Sequence, residues 1–192
     1  MRGKQRCAWC ENDALYTKYH DEEWGVPLKD NNSLFAMLCL EGAQAGLSWL
    51  TILRRRTGYY RAFEAFTVEK IVCYGDADIE RLLQNEGIIR NRLKIESVIK
   101  NARATLQLNK EGLTLSDYLW DFVDGQPLQN HFNRMEEIPA QTDVSKKMSR
   151  DMKKRGFSFV GPTICYAFMQ SIGMVNDHLT TCYRYRELCG GE

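Results

Sequence analysis

Strand-like alternation of apolar and polar residues is scarce along this chain, which argues against a β-sandwich or barrel. Net charge is also nearly absent. With 26 Lys and Arg against 25 Asp and Glu, the balance is +1, so no global field marks out a polyanionic partner. No apolar stretch follows Met1-Arg2-Gly3-Lys4, and no secretory signal is expected. Internal repeats and low-complexity tracts are missing, which excludes a solenoid or a fibrous array. Histidine is rare, at three residues. The seven cysteines come without a secretory signal and in odd number. That combination points to a reducing, cytoplasmic compartment rather than a disulfide framework.

What is present suits one soluble domain. The 192 residues are 44% hydrophobic and 27% charged, enough for a core under a polar surface. Apolar residues at helical period predict helices over 33–53, 58–66, 78–85, 92–108, 114–123, 143–154 and 163–173. Asn32-Ser33, Thr67 to Lys70 and Ser116-Asp117 read as helix starts. Pro127 and Pro139 break the chain, and Gly125 to Gln141 is the expected loop. The predicted fold is an all-α globule with short connections, with a helical core over 33–160.

The segment from Leu34 to Leu53 could be mistaken for a membrane span, but Glu41, Gln44, two glycines, Ser48 and Thr51 argue for a buried soluble helix. Glu41 is its one charged residue. A lone carboxylate there needs a partner from elsewhere in the fold or from a ligand, unless it reaches solvent on a wet face. Trp9, Tyr16, Tyr19 and Trp24 cluster near the start, and Trp49 lies eight residues past Glu41. Aromatic faces with one carboxylate suit a flat, electron-poor ring. Core packing is the alternative for each aromatic taken singly.

Two further groups carry chemistry. His178 and Cys182 stand one helical turn apart, and Cys7 and His20 lie near the other end. Two thiols and two imidazoles suit a closed, structural zinc site that would tie residues 1–32 to 161–192. Cys10, in Cys7-x-x-Cys10, competes as a ligand, while scattered thiols and surface histidines are the alternative. Cys39, Cys73 and Cys165 read as core residues. Basic clusters fall at Arg54 to Arg56, Arg90 to Lys94 and Lys146 to Arg155, as a DNA-binding surface or as solvated helix faces. Residues 78–106 read as helix, tight turn and helix, with Gly87 permitting a left-handed turn. The new helix's N–H groups, with Arg90, Arg92 and Lys94 beside them, can hold a phosphate; an ordinary helical hairpin is the alternative.

Five stretches carry a resemblance that spans nearly the whole chain. They are Tyr-His-Asp-Glu-Glu-Trp-Gly-Val-Pro at 19–27, Leu-Glu-Gly-Ala-Gln-Ala-Gly-Leu-Ser-Trp at 40–49, Gly-Ile-Ile-Arg-Asn-Arg at 87–92, Lys-Lys-Arg-Gly-Phe-Ser-Phe-Val-Gly-Pro-Thr at 153–163, and Val-Asn-Asp-His at 175–178. With them the chain resembles the 3-methyladenine DNA glycosylase I family of the helix-hairpin-helix glycosylases. The resemblance implies that fold, with zinc on Cys7, His20, His178 and Cys182. It implies a flipped base held among Trp9, Tyr16, Tyr19 and Trp49, with Glu41 on the adenine edge as the catalytic carboxylate. Gly46-Leu47 falls where the family presents a small wedge to the DNA gap. Gly87, Arg90, Arg92, Lys94 and the loop from Lys153 to Thr163 would then touch phosphates. Cys10 and the tail Tyr183-Arg184-Tyr185 depart from some relatives and bear on the fourth metal ligand.

The implied activity is monofunctional excision of 3-methyladenine from double-stranded alkylated DNA, releasing the free base, by a monomer. Asp117 and Asp121 are expected to be structural, and Lys94 and Lys100 to be surface charge rather than Schiff-base nucleophiles. A non-catalytic damage-binding protein and a zinc-stabilised interaction module are the competing classes.

Overall fold

The computed structural model describes residues 4–190. Ten helices are found among the described residues: α1 Ala14–Glu22, α2 Asn31–Gln44, α3 Trp49–Ala62, α4 Val68–Ile71, α5 Asp76–Leu83, α6 Arg92–Lys110, α7 Leu115–Trp120, α8 Asp143–Lys154, α9 Pro162–Ser171 and α10 Tyr183–Leu188. Most of the longer helices start on a side chain that takes an otherwise free backbone N–H. Asp13, Asp30, Ser48, Asn91, Thr114 and Thr142 accept from Tyr16, Ser33, Thr51, Lys94, Asp117 and Ser145 respectively. The helix starts read at Asn32-Ser33 and Ser116-Asp117 therefore lie late. Asp30 and Thr114 are the caps, and Ser33 and Asp117 are the residues capped.

Helix α2 is the axis of the molecule. It is buried from Leu34 to Ala43 and packs against α3, α6, α7 and α9. A helix covered on every side needs no polar face, which explains its nearly uninterrupted apolar sequence. The pattern over 33–53 is not one helix, however. The chain turns at residues 45–48, where Gly46 takes a positive φ of 76° and Ser48 caps α3. Apolar periodicity continues across the turn because both flanking helices bury a face. Likewise, the pattern over 58–66 is the end of α3 followed by a 3-10 turn at Glu64–Phe66.

The all-α expectation needs one correction. The expected loop from 125 to 141 contains a short strand β1, Leu128–Gln129, which pairs in parallel with β2, Val175–Asn176. Two residues are too few to print an alternation pattern. Cys39 and Cys165 are buried as expected, but Cys73 is exposed. Gly87 is not left-handed; instead the connection 84–91 presses on α3. A Cβ on Gly58 would lie 2.2 Å from the Gly87 carbonyl oxygen, and Tyr59 OH accepts from Ile89 N–H at 3.2 Å.

The terminal segments meet. Gly25 N–H donates to Gln170 O and Leu28 N–H to Ile172 O, both at 3.0 Å, and Tyr183 N–H donates to Gln5 O at 2.9 Å. Gly173, at φ +70°, lies so close to Val26 and Pro27 that a Cβ would sit 2.4 Å from the Val26 carbonyl carbon.

Candidate active site

A cavity of about 370 Å³ opens between α1, α2, α3, α9 and the segment 135–140. Its walls are aromatic. Trp9 lies against Tyr16 with centroids 4.7 Å apart, and Tyr19 against Trp49 at 5.5 Å. Trp24 closes the group behind Trp9 at 5.1 Å. The packing of Asp13-capped α1 onto α3 sets this arrangement, since Tyr16 and Tyr19 share one face of α1. The structure thus brings Trp9, Tyr16, Tyr19, Trp49 and Glu41 into one cavity.

Two polar groups there are unusual. Glu41 is 3% exposed, so the wet-face alternative is excluded. Burial pushes its carboxyl up to about 8. The Trp49 indole N–H is buried and has no hydrogen-bond partner within the protein. Burial also raises Tyr16 and Tyr19, and the Glu41 carboxylate adds to both, so the two phenols stay neutral. No Lys, Arg or His is among the lining residues. The cavity therefore combines ring faces, one buried acid for which the Ser171 hydroxyl opposes the effect of burial, and one free donor. A cationic or electron-poor planar ring with an amine edge matches all three.

Helix α9 supplies the opposite wall, with Thr163 exposed near the mouth and Tyr166 and Gln170 deeper. Asp177, itself 1% exposed, accepts from Tyr166 OH at 2.6 Å, Gln170 Nε2 at 2.7 Å and Asn130 Nδ2 at 2.7 Å. The Gln170 nitrogen faces the Asp177 carboxyl, as its donation to Oδ2 shows. The amide oxygen of Gln170 is then the end left for the cavity. Sequence reasoning missed Gln44, Tyr166, Gln170 and Asp177. The spacing of Thr163, Tyr166 and Gln170 on one helical face was the available signal.

Directly behind Trp9 and Trp24 lie Cys7, His20, His178 and Cys182. All four are buried, and their ligand atoms lie within 4.8 Å of one another. Cys182 Sγ is 3.5 Å from His20 Nε2 and 3.6 Å from His178 Nδ1. Each imidazole uses its other nitrogen elsewhere: His20 Nδ1 meets Asp21 Oδ1 at 2.8 Å, and His178 Nε2 meets Trp24 O at 3.0 Å. Such outer contacts fix ring orientation and tautomer for ligation. Burial opposes ionisation of Asp21, but hydrogen bonds from Arg6 and His20 hold its carboxyl below the usual range. Cys10 is not part of the cluster; its thiol donates to the Cys7 carbonyl at 3.1 Å, and burial pushes it up to about 11. The donor set fits a tetrahedral ion with two thiolates and two neutral imidazoles.

The remaining expected residues lie outside the lining of the cavity. Gly46 and Leu47 are exposed in the turn between α2 and α3, next to Gln44, which lines the cavity. Arg90 is exposed, 3.8 Å from Glu86, while Arg92 pairs with Glu80 and reaches Glu96 at 3.9 Å. Lys94, expected as surface charge and as a phosphate contact beside Arg90 and Arg92, is instead half-buried, and its Nζ donates to Ala43 O and Ala45 O at 2.7 Å each. Lys100 is exposed, and Asp117 serves the cap of α7 through Thr114.

A family model described as methyladenine glycosylase matches residues 9–185. The chain belongs to the methyladenine glycosylase family. It is 49% identical over 181 residues to DNA-3-methyladenine glycosylase 1 of Escherichia coli (strain K12), covering 94% of this chain and 97% of that protein. It is 48% identical over 177 residues to the DNA-3-methyladenine glycosylase of Haemophilus influenzae, covering 92% and 96%. Among solved structures, a crystal structure of 3-methyladenine DNA glycosylase I superposes with TM-score 0.92 at 51% identity, covering 93% of this chain and 98% of that one. The enzyme from Staphylococcus aureus, studied for its recognition of 3-methyladenine, superposes at 0.90 with 35% identity, covering 93% and 95%. No helix of the described residues is long and apolar enough to cross a membrane.

Proposed function

We propose that this chain is a monofunctional DNA glycosylase that flips N3-methyladenine out of alkylated double-stranded DNA and hydrolyses its glycosidic bond. The observation that carries this reading is the pairing of buried Glu41 with the unpartnered Trp49 N–H inside an aromatic cavity that holds no cation of its own. N3-methylation makes the purine cationic and weakens its bond to the sugar, and the departing base is neutral. Little acid catalysis is needed; the enzyme must extrude, orient and desolvate. An ionised Glu41 attracts the cation and accepts from its amine edge. Trp49 and Tyr19 supply ring faces, with Trp9 and Tyr16 at the other side, and the Trp49 N–H offers a donor to a ring nitrogen.

In this reading α5, the connection 84–91 and α6 form a helix-hairpin-helix unit. Gly87, Arg90 and Arg92 track the phosphate backbone, and Thr163 with Lys153 and Lys154 contacts it from α9 and the end of α8. Gly46 and Leu47 fill the gap left by the extruded base. A structural zinc on Cys7, His20, His178 and Cys182 ties segments 1–32 and 161–192 together over a helical core at 33–160, within one monomeric domain that works in the cytoplasm. Zinc would supply rigidity there and no chemistry, because four protein ligands leave no open position.

Free-base release from N3-methylated duplex DNA tests the function, with 7-methylguanine and ethenoadenine DNA as controls. The expected result is release of 3-methyladenine, strongly reduced in Glu41→Gln. A folded, metal-loaded protein that releases no base would overturn the proposal.

A further inference from the structure

The ammonium of Lys94 has no carboxylate partner within the described residues. It sits between two backbone carbonyls, Ala43 O and Ala45 O, each at 2.7 Å. Ala43 lies in the last turn of α2 and Ala45 is its C-cap, where helical hydrogen bonding runs out. Ala45 then leads directly into Gly46 at φ +76° and Leu47, which is 38% exposed. Lys94 itself is in the first turn of α6, immediately after the 84–91 connection. Its backbone N–H is taken by Asn91, the cap of α6. One side chain thus joins the start of α6 to the turn that presents Leu47. Burial lowers the amine's proton affinity.

We infer that Lys94 is a positioning residue. It holds the turn at residues 45–48 so that Leu47 enters the DNA when the hairpin docks on the backbone, coupling DNA docking to lesion extrusion. This rests on the reading of Gly46-Leu47 as the element that enters the gap. A phosphate contact is the competing role for this lysine, and its donors point inward instead. A nucleophilic role is equally disfavoured, since the nitrogen is held between two backbone carbonyls and Lys94 does not line the cavity.

The test compares Lys94→Met, Lys94→Arg, Leu47→Ala and the double variant Lys94→Met/Leu47→Ala in the full chain. Four quantities are measured: release from methylated duplex, release from methylated single strands, binding of free 3-methyladenine by tryptophan quenching, and the salt slope of binding to undamaged duplex. Lys94→Met is expected to slow duplex release by about tenfold, with single-strand release and free-base binding within about twofold of wild type. Lys94→Arg, which can still donate to both carbonyls, restores most of the duplex rate. The double variant is expected to be no slower than the worse single variant, because both changes remove one function.

Loss of duplex affinity with a salt slope reduced by about one would overturn the inference in favour of a phosphate contact. Additive losses in the double variant, or equal losses on duplex and single strands, would also overturn it. If Leu47→Ala releases base at the wild-type rate, the reading of the turn fails and the inference falls with it. If Leu47→Ala is slow and Lys94→Met is not, only the role of Lys94 fails. Poor folding of Lys94→Met would leave Lys94→Arg and its cycle with Leu47→Ala to decide by the same criteria.

Discussion

Tyr166 and Asp177 are joined by a buried hydrogen bond of 2.6 Å that ties the wall of the aromatic cavity to the residue preceding His178. The same carboxylate oxygen takes the Gln170 amide at 2.7 Å, so one acid orients two cavity side chains. Asp177→Asn keeps the shape but replaces an acceptor with an amide, and the Gln170 amide is then free to turn over. Hydrogen bonds to a charged group contribute roughly 1.5–3 kcal/mol, so the base-release rate is expected to fall by about tenfold or more. Free-base affinity and kcat/KM on methylated duplex check this. Wild-type values for both would show that the carboxylate does not set the cavity's polarity.

Glu41 makes the protein sensitive to pH in a defined direction. Its carboxyl stands at about 8 in the folded chain against an ordinary 4.5. Between those values the native state holds a proton that the unfolded chain has released. Stability contributed at this site therefore falls as pH rises from about 4.5 to about 8 and levels off above, by at most ~1.4 kcal/mol per pH unit. Glu41→Gln is expected to flatten that slope in denaturant titrations. For catalysis the ionised form is the useful one, so kcat/KM on the cationic lesion should rise toward pH 8 and be flat in the variant. A wild-type profile without that rise would remove Glu41 from recognition of the charge.

The parts of this molecule that were legible in the sequence are those where residue type alone is informative. His178 and Cys182 one turn apart, with Cys7 and His20 near the other end, pointed to the Cys/His cluster but left Cys10 as a competitor, and only the fold brings His20 and His178 together across 158 positions. An acid alone in an apolar run marked Glu41. Helix α8 follows its predicted bounds because its apolar stripe is narrow and its Thr142 cap is clear. The break between α2 and α3 was hidden because burial continues on both sides of Gly46. Lys94 was read as surface charge because a sequence does not distinguish water from a neighbouring carbonyl as a partner. Asp177 was hidden for a similar reason: it acts through Tyr166 and Gln170 rather than on the cavity itself.

The Cys/His cluster is expected to hold one metal ion per chain. Cys182→Ala should lose the ion and lower Tm sharply, because a structural site's binding energy contributes directly to folding. Cys10→Ala should keep it, since the Cys10 thiol is committed to the Cys7 carbonyl. Elemental analysis with thermal melts, before and after chelation, checks both. Metal retained in Cys182→Ala but lost in Cys10→Ala would reassign the fourth ligand.

Close contact between α3 and the 84–91 connection makes Gly58 a sensitive point. Replacing a mid-helix glycine by alanine ordinarily gains about 1 kcal/mol in helix propensity. Here the added methyl would lie 2.2 Å from the Gly87 carbonyl oxygen, and that atom is backbone, not the end of a flexible side chain. Relief requires the helix and the connection to separate, which also strains the Tyr59 OH contact to Ile89 N–H. Overpacking of this kind costs roughly 1–3 kcal/mol and occasionally more, and a backbone atom at this distance belongs at the upper end. The propensity gain is therefore outweighed. At about 2–4 °C per kcal/mol for a chain of this size, Gly58→Ala should lower Tm by several degrees. Because the connection carries Arg90 and leads into Lys94, the same variant should weaken duplex binding more than free-base binding, since neither Gly58 nor the connection lines the cavity, although Trp49 at the start of α3 does. A variant as stable as wild type would mean that α3 and the connection do not approach this closely in solution.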